Sequence, residues 1–160
     1  MELNCNKVVA GAKEDMSLEA LGVGSSKVFR IEEIPADELR LQDDEMLISC
    51  AHFHKEVFST FGIPFLIKIK NAEPFAKVKE RIQKKLAVPE KEWEKFKFAI
   101  VAMGRPHYIN EDEYVINIDE FKPHANNSSN TKPWLGLEHV NKAPKRSRFN
   151  YLEKAIKIYN

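Results

Sequence analysis

The sequence predicts an α+β fold in which one amphipathic helix packs on a mixed β-sheet. Two patterns indicate this class: several short stretches alternate apolar and polar residues, as half-buried strands do, and one stretch carries apolar residues at helical spacing. The chain has 160 residues, of which 43% are hydrophobic. It can therefore bury a packed core, and its length suits one domain or two small ones.

The first 34 residues predict only half of a domain. Residues 7–11 form an apolar stretch, residues 14–21 suit a helical turn, and residues 27–34 alternate apolar and polar side chains with the period of a strand. Two short strands and one helical turn bury too little surface to be stable alone. We therefore expect residues 1–34 to be the second half of a truncated domain.

A linker and a β-hairpin are expected next. Residues 35–45 are polar and acidic and begin with Pro35, which favours a linker. Residues 46–54 and 63–70 have the composition of strands and should pair as a hairpin. In the second of these stretches four apolar side chains share one face, and lysines lie on the other. The four apolar residues are Ile63, Phe65, Ile67 and Ile69.

One amphipathic helix is predicted after the hairpin. Glu73 and Pro74 are typical of a helix start, and the helix must end before Pro89. Between them, apolar residues recur at spacings of three and four, which places them on one helical face. These residues are Phe75, Val78, Ile82 and Leu86.

Three further strands are predicted after the helix, at residues 96–103, 107–109 and 134–140. Residues 113–121 predict either a turn or an irregular strand. The resulting order, β-β-α-β-β-turn-β, is that of the β-grasp or ubiquitin-like architecture, which we assign to residues 46–141. The preceding half-domain repeats the second half of this order, so we expect a similar fold there.

No catalytic, metal or cofactor site is predicted. His52 and His54 are two residues apart and would share a strand face, but they lack a third metal ligand at recognisable spacing. We interpret both as structural or surface residues. Cys50 beside them invites the hypothesis of a Cys-His nucleophile. A cysteine in the middle of a strand is more typically a small buried residue, and we favour that interpretation.

Charge is divided unevenly along a chain whose net charge is only +1. Residues 142–160, which we call the tail, carry six basic residues and one acid, a net charge of +5, which leaves −4 on residues 1–141. The small total excludes binding of the whole chain to nucleic acid or an anionic membrane by charge alone. No apolar run approaches the about 20 residues that span a bilayer, so no membrane partner is expected.

The tail also carries apolar residues. Seven of the twelve residues 149–160 are apolar or aromatic. Tyr151, Leu152 and Ile156 would share one face of a helix, whereas Ile156 and Ile158 would share one face of a strand. Such a segment either packs on its own domain or docks on a partner. We favour docking, because residues 46–141 already supply every element of the predicted domain.

Five stretches of the sequence resemble one protein family. They are FRIEEIP (29–35), AHFHKEVF (51–58), KFKFAIV (95–101), YINEDEY (108–114) and the tail from KAPKRSR through YLEKAIKI (142–158). The family is that of nuclear ubiquitin-specific proteases, which are deubiquitinating thiol proteases with a series of ubiquitin-like domains behind the catalytic domain. The resemblance implies that residues 1–34 end the fourth of these domains and that residues 46–141 form the fifth.

The resemblance also implies a function. The family's thiol-protease domain lies far upstream, so this chain is expected to hold no catalytic residue and to need no cofactor. The tail is expected to dock on the catalytic domain of the same polypeptide and to activate ubiquitin hydrolysis, in the nucleus and also the cytoplasm. The residues expected to dock are Tyr151, Leu152, Ile156 and Ile158, and those expected to steer the tail by charge are Lys145, Arg146 and Arg148.

An alternative is a protein-interaction module. In that interpretation the ubiquitin-like surface recruits substrates or regulatory proteins, or the basic segment of the tail contacts DNA, and activation is secondary. Charge reversal in the basic segment would then abolish partner binding, and the binding would depend strongly on salt.

Overall fold

The computed structural model describes residues 2–4, 7–10, 17–21, 28–110, 113–123 and 132–142. The first elements are β1 (Glu2–Asn4), β2 (Lys7–Ala10), α1 (Leu18–Leu21), β3 (Val28–Phe29) and α2 (Ala36–Leu39). The later elements are β4 (Glu45–His54), β5 (Glu56–Lys70), α3 (Phe75–Leu86), α4 (Glu90–Trp93), β6 (Lys97–Ala102), β7 (Arg105–Tyr108), a 3-10 helix (Ile118–Phe121) and β8 (Trp134–Glu138).

The first three strands form an antiparallel sheet in the order β2-β1-β3. β2 and α1 lie within the predicted strand and helical turn, and β1 adds a strand that the sequence pattern did not predict. The strand predicted for residues 27–34 is wrong beyond Phe29. The chain leaves the sheet there, Ile31 is 98% exposed, and the next residue, Glu32, turns its side chain to the second sheet.

Glu32 ties this segment to the edge strand β5. Its two carboxylate oxygens each accept the backbone N–H of Leu66 at 3.3 Å, and Lys85 of α3 lies 2.9 Å from one of them. Lys85 also donates to the Leu66 carbonyl at 2.8 Å. An edge strand leaves backbone groups facing outward. Here the Glu32 carboxylate accepts from the Leu66 N–H, and the Lys85 ammonium donates to the Leu66 carbonyl, so both backbone groups of Leu66 are satisfied.

The predicted linker contains a short helix. α2 occupies four residues of it, with Pro35 at the N-cap position. A proline at this point fixes the backbone before the first turn and ends the extended segment, as expected of a strand-terminating proline. α2 therefore occupies part of the segment predicted as a linker.

The second sheet has five strands in the order β5-β4-β8-β6-β7. β4 and β5 form the predicted antiparallel hairpin, β8 lies parallel to β4, and β6 pairs antiparallel with both β7 and β8. This mixed sheet, with the long helix α3 against it, is consistent with a ubiquitin-like α+β domain. The α+β class predicted from the sequence is confirmed.

The main core lies between α3 and one face of this sheet. Phe75, Val78 and Ile82 are fully buried and Leu86 packs at the edge of the core, as the helical spacing predicted. α3 ends at Leu86, and the next residue, Ala87, has a left-handed backbone (φ 51°) that terminates the helix. The sheet contributes a set of inward-facing apolar residues, among them Ile48, Cys50, Phe65, Ile67, Ile69, Phe98, Leu135 and Leu137.

The prediction for Ile63 is wrong. Ile63 does not share the buried face with Phe65 but is 62% exposed, because the β4–β5 register shifts between Cys50 and His52. Gly62, with φ of +67°, allows the chain to turn there. The ambiguous segment 113–121 ends in the 3-10 helix, whose first turn is capped by the Asn117 side chain accepting from the Asp119 N–H at 3.0 Å.

A second apolar cluster covers part of the opposite sheet face. Phe53 lies there because strand side chains alternate between faces, and it packs with Val57, Val101 and Trp134. Lys7 places its ammonium 5.7 Å from the centre of the Trp134 ring. The first unit therefore meets the second at this face as well as at Glu32.

Candidate binding cleft

One end of the five-stranded sheet forms a cleft of about 520 Å³. β4 and β8 are parallel, so their carboxyl ends meet at the same edge, and β6 begins there because it runs antiparallel to β8. Its apolar lining comes from Val88, Phe96 and Val140. The polar lining residues are His54, Glu92, Lys95, Lys97, Glu138, His139 and Lys142.

The short helix α4 forms one wall of the cleft. Pro89 begins it, and Trp93 anchors it by burying its ring in the core. That ring lies 4.9 Å, centre to centre, from the ring of Phe96. This packing fixes Phe96 directly before β6 and leaves Glu92 on the solvent side of α4.

His139 lines the cleft and pairs with the buried His52 behind it. His52 Nδ1 and His139 Nε2 are 2.9 Å apart, and the His139 ring stacks on Phe96 with centres 4.0 Å apart and an angle of 18°. Phe61 meets His139 edge-on at 5.0 Å. An N–H···N bond needs one unprotonated nitrogen, so the pair cannot hold a proton on both contacting atoms.

Burial governs the protonation of this pair. It lowers the pKa of His52 from 6.5 to about 4, with the neighbouring His139 as the second cause. Burial also lowers the pKa of His139. Both rings are therefore neutral at pH 7, and the bond between them holds the end of β8 to the middle of the sheet.

Lys142 closes the open side of the cleft. Its ammonium donates to Glu92 on α4, and this hydrogen bond holds the pKa of the Glu92 carboxyl below its usual range. Both side chains are largely exposed, so the pair is a positional contact more than a source of stability. The last described residue of the chain thus lies on the cleft.

The predicted chemistry-bearing residues are not brought together. Cys50 is fully buried and its thiol pKa is raised by burial, as expected of a core cysteine. His52 pairs with His139 and not with His54. Within the described ranges no group of three or more potential metal ligands occurs, and no helix among those residues is long and apolar enough to cross a membrane.

The seven predicted tail residues lie outside the described residues. They are Tyr151, Leu152, Ile156, Ile158, Lys145, Arg146 and Arg148. Sequence patterns alone did not group His139, Phe96 and Glu92 in one site. The only available signal was that His139 lies in the last predicted strand, and nothing in its spacing identified His52 as its partner.

Comparison with known proteins identifies the family of this α+β chain. The sequence model of the family described as "Ubiquitin-specific protease C-terminal" matches residues 1–144. The chain is 41% identical over 169 residues to ubiquitin carboxyl-terminal hydrolase 7 of Drosophila melanogaster, a match that covers 100% of the chain and 15% of that protein. It is 39% identical over 143 residues to ubiquitin C-terminal hydrolase 13 of Arabidopsis thaliana, covering 82% of the chain and 12% of the relative.

The chain belongs to the ubiquitin-specific protease C-terminal family. It corresponds to the C-terminal part of a ubiquitin carboxyl-terminal hydrolase and spans less than a sixth of the length of these relatives. The resemblance proposed from the sequence motifs is confirmed. The match to the Drosophila protein extends through the whole chain, tail included.

Proposed function

We propose that this chain is a non-catalytic regulatory region of a deubiquitinating thiol protease, and that its tail docks on the catalytic domain and activates ubiquitin hydrolysis. The five-stranded unit is assigned as a β-grasp domain. The strand order β5-β4-β8-β6-β7 supports this assignment, because the first and last strands of the unit lie side by side and parallel at the centre of the sheet.

One observation carries the proposal. Every core residue of the described part of the unit lies between Ile48 and Leu137, upstream of the tail. The segment that follows is both basic and apolar, and it is matched in the Drosophila relative. A segment of this composition beyond an assembled core is suited to bind another surface.

The energetics favour a tethered activator. Burying two isoleucine side chains contributes about 3 to 6 kcal/mol before ordering costs are subtracted, which alone gives weak binding. A tethered segment meets its site at an effective concentration on the order of mM. Activation follows because the tail binds the competent state of the catalytic domain better than the incompetent one.

The test adds a peptide of residues 142–160 to the catalytic domain of the same protein and follows hydrolysis of a fluorogenic ubiquitin substrate. We expect stimulation that saturates with peptide. A matched peptide carrying Ile156→Ser and Ile158→Ser keeps the charge and length but should lose the stimulation. No stimulation at millimolar peptide, or equal stimulation by both peptides, contradicts the proposal.

The same assay separates the interaction-module alternative. Charge reversal at Lys145, Arg146 and Arg148 should slow association of the tail and raise the concentration needed for half-maximal stimulation, without lowering its maximum. If these changes instead abolish binding of substrate proteins or DNA and leave stimulation unchanged, the basic segment serves recruitment.

A further inference from the structure

The cleft lies where the tail begins. Lys142 is the last described residue and lines the cleft, and eighteen residues follow it in the sequence. Its hydrogen bond to Glu92 places Lys142, the first residue of the tail, at the opening between α4 and the end of β8. The tail therefore begins beside an apolar surface of its own domain.

The lining of the cleft suits aliphatic side chains. Val140 is 62% exposed, and Val88 and the stacked rings of Phe96 and His139 form the remainder of the apolar surface. The volume of about 520 Å³ falls in the range of about 300 to 1,000 Å³ typical of ligand pockets. It accommodates several side chains of the size of leucine or isoleucine.

Charge on the rim does not attract the basic tail. Glu92 and Glu138 face three lysines on the same rim, Lys95, Lys97 and Lys142, and Glu138 already accepts a hydrogen bond from the Tyr108 hydroxyl at 2.7 Å. The occupant is therefore chosen by apolar contact and by local concentration. The segment with the highest local concentration is the tail, because it is attached to the rim itself.

The chain length allows the tail to return. Eight residues separate Lys142 from Tyr151, and an extended chain spans up to about 3.3 Å per residue, so this spacer can reach about 26 Å. Pro144 favours a turn directly after the rim. The apolar residues from Tyr151 onward can then lie over the cleft without straining the Lys142 contact.

We infer that residues 151–158 of the tail dock in this cleft, so that the tail has a resting site on its own domain. The regulatory consequence rests on the proposed function: the resting site competes with the catalytic domain for the same isoleucine side chains. Self-docking itself is a property of this chain alone and can be measured without the catalytic domain.

The test is methyl NMR on the chain of residues 1–160. We expect nuclear Overhauser contacts between the methyl groups of Ile156 or Ile158 and those of Val140 or Val88. The Ile156→Ser/Ile158→Ser chain should lose these contacts and shift the Val88 and Val140 methyl signals. Adding the peptide of residues 143–160 to that variant should restore the shifts with a dissociation constant on the order of mM.

A matched pair of variants controls for general effects. Val140→Asp places a charge on the cleft at a residue that is 62% exposed, and Val115→Asp places the same charge at a residue that is 50% exposed and is not among the lining residues. The tail contacts should disappear in the first variant only. Loss in both variants, or in neither, overturns the inference. Contacts that strengthen with protein concentration assign the cleft to the tail of a second copy and also overturn it.

The activation assay then separates the two proposals. With the chain of residues 1–160 added to the catalytic domain, Val140→Asp should lower the concentration for half-maximal stimulation by at least twofold, since the resting site is lost. NMR contacts without any stimulation leave self-docking intact and reject the activator proposal. Stimulation without NMR contacts rejects self-docking alone.

Discussion

Acidification should destabilise the five-stranded domain through the His52–His139 pair. The pKa of His52 is lowered from 6.5 to about 4 by burial and by His139, so the folded state binds fewer protons than the unfolded state over this range. Stability therefore rises with pH. As the pH falls below 6.5, protonation of His52 in the unfolded state lowers the free energy of unfolding, and this effect of His52 is complete near pH 4.

The magnitude follows from the same values. At pH 5, the pH lies 1.5 units below the pKa of His52 in the unfolded state, whereas His52 in the folded state is still largely neutral. At 1.36 kcal/mol per unit, the free energy of unfolding falls by about 2 kcal/mol relative to pH 7 from His52 alone. The lowered pKa of His139 acts in the same direction.

Urea unfolding followed by tryptophan fluorescence at pH 7, 6 and 5 measures this loss. The informative variant is His52→Asn, whose side chain offers a polar atom near the position of Nδ1 but does not titrate. The variant should lose about 2 kcal/mol less than the parent between pH 7 and pH 5. His107→Asn serves as the control because His107 is exposed, and it should follow the parent.

Identical pH dependence in the parent and in His52→Asn would refute the reasoning. It would mean that the folded protein accepts a proton on His52 without cost, for instance by opening the bond to His139. The restriction to pH 5 and above matters, because carboxylates begin to titrate below that value and would mask the histidine.

Two further predictions concern packing and the contact between the units. Gly136→Ala should lower the free energy of unfolding by about 1 to 3 kcal/mol, because a Cβ there would lie 2.7 Å from Cε1 of the buried Phe53 ring. Urea unfolding measures this loss, and an unchanged unfolding midpoint contradicts the prediction. Glu32→Ala should cost about 1 to 3 kcal/mol, because the Leu66 N–H and Lys85 lose a buried acceptor, whereas Glu33→Ala, at an exposed site, should cost less than about 0.5 kcal/mol.

Local sequence patterns predicted those elements that bury one continuous face against the core. The hairpin and α3 follow from periods of two and of three to four residues, because one continuous face of each is buried. Ile63 breaks the strand period since the bulge at Gly62 reverses the face it occupies. A bulge leaves no periodic signal, and a single glycine did not identify it.

The cleft could not be predicted because its parts meet only after folding. His52 and His139 are 87 residues apart, and they become neighbours because β4 and β8 lie parallel at the centre of the sheet. The period-two pattern instead grouped His52 with His54, its neighbour in sequence. The sequence pattern predicts Phe96 only as the first residue of a strand. Its stacking on His139 depends on the same long-range strand pairing.

If the tail docks both on the catalytic domain and in the cleft, as proposed, the balance between the two sites sets how strongly the tail is restrained. The apparent affinity of the tail for the catalytic domain is proportional to the fraction of tails that are free. A tail that is half docked in the cleft changes this affinity only twofold. Tenfold restraint needs about 1.4 kcal/mol. With an effective concentration on the order of mM, tenfold restraint corresponds to a self-docking constant of about 0.1 mM, whereas a constant of about 1 mM leaves half the tails free and restrains the tail about twofold.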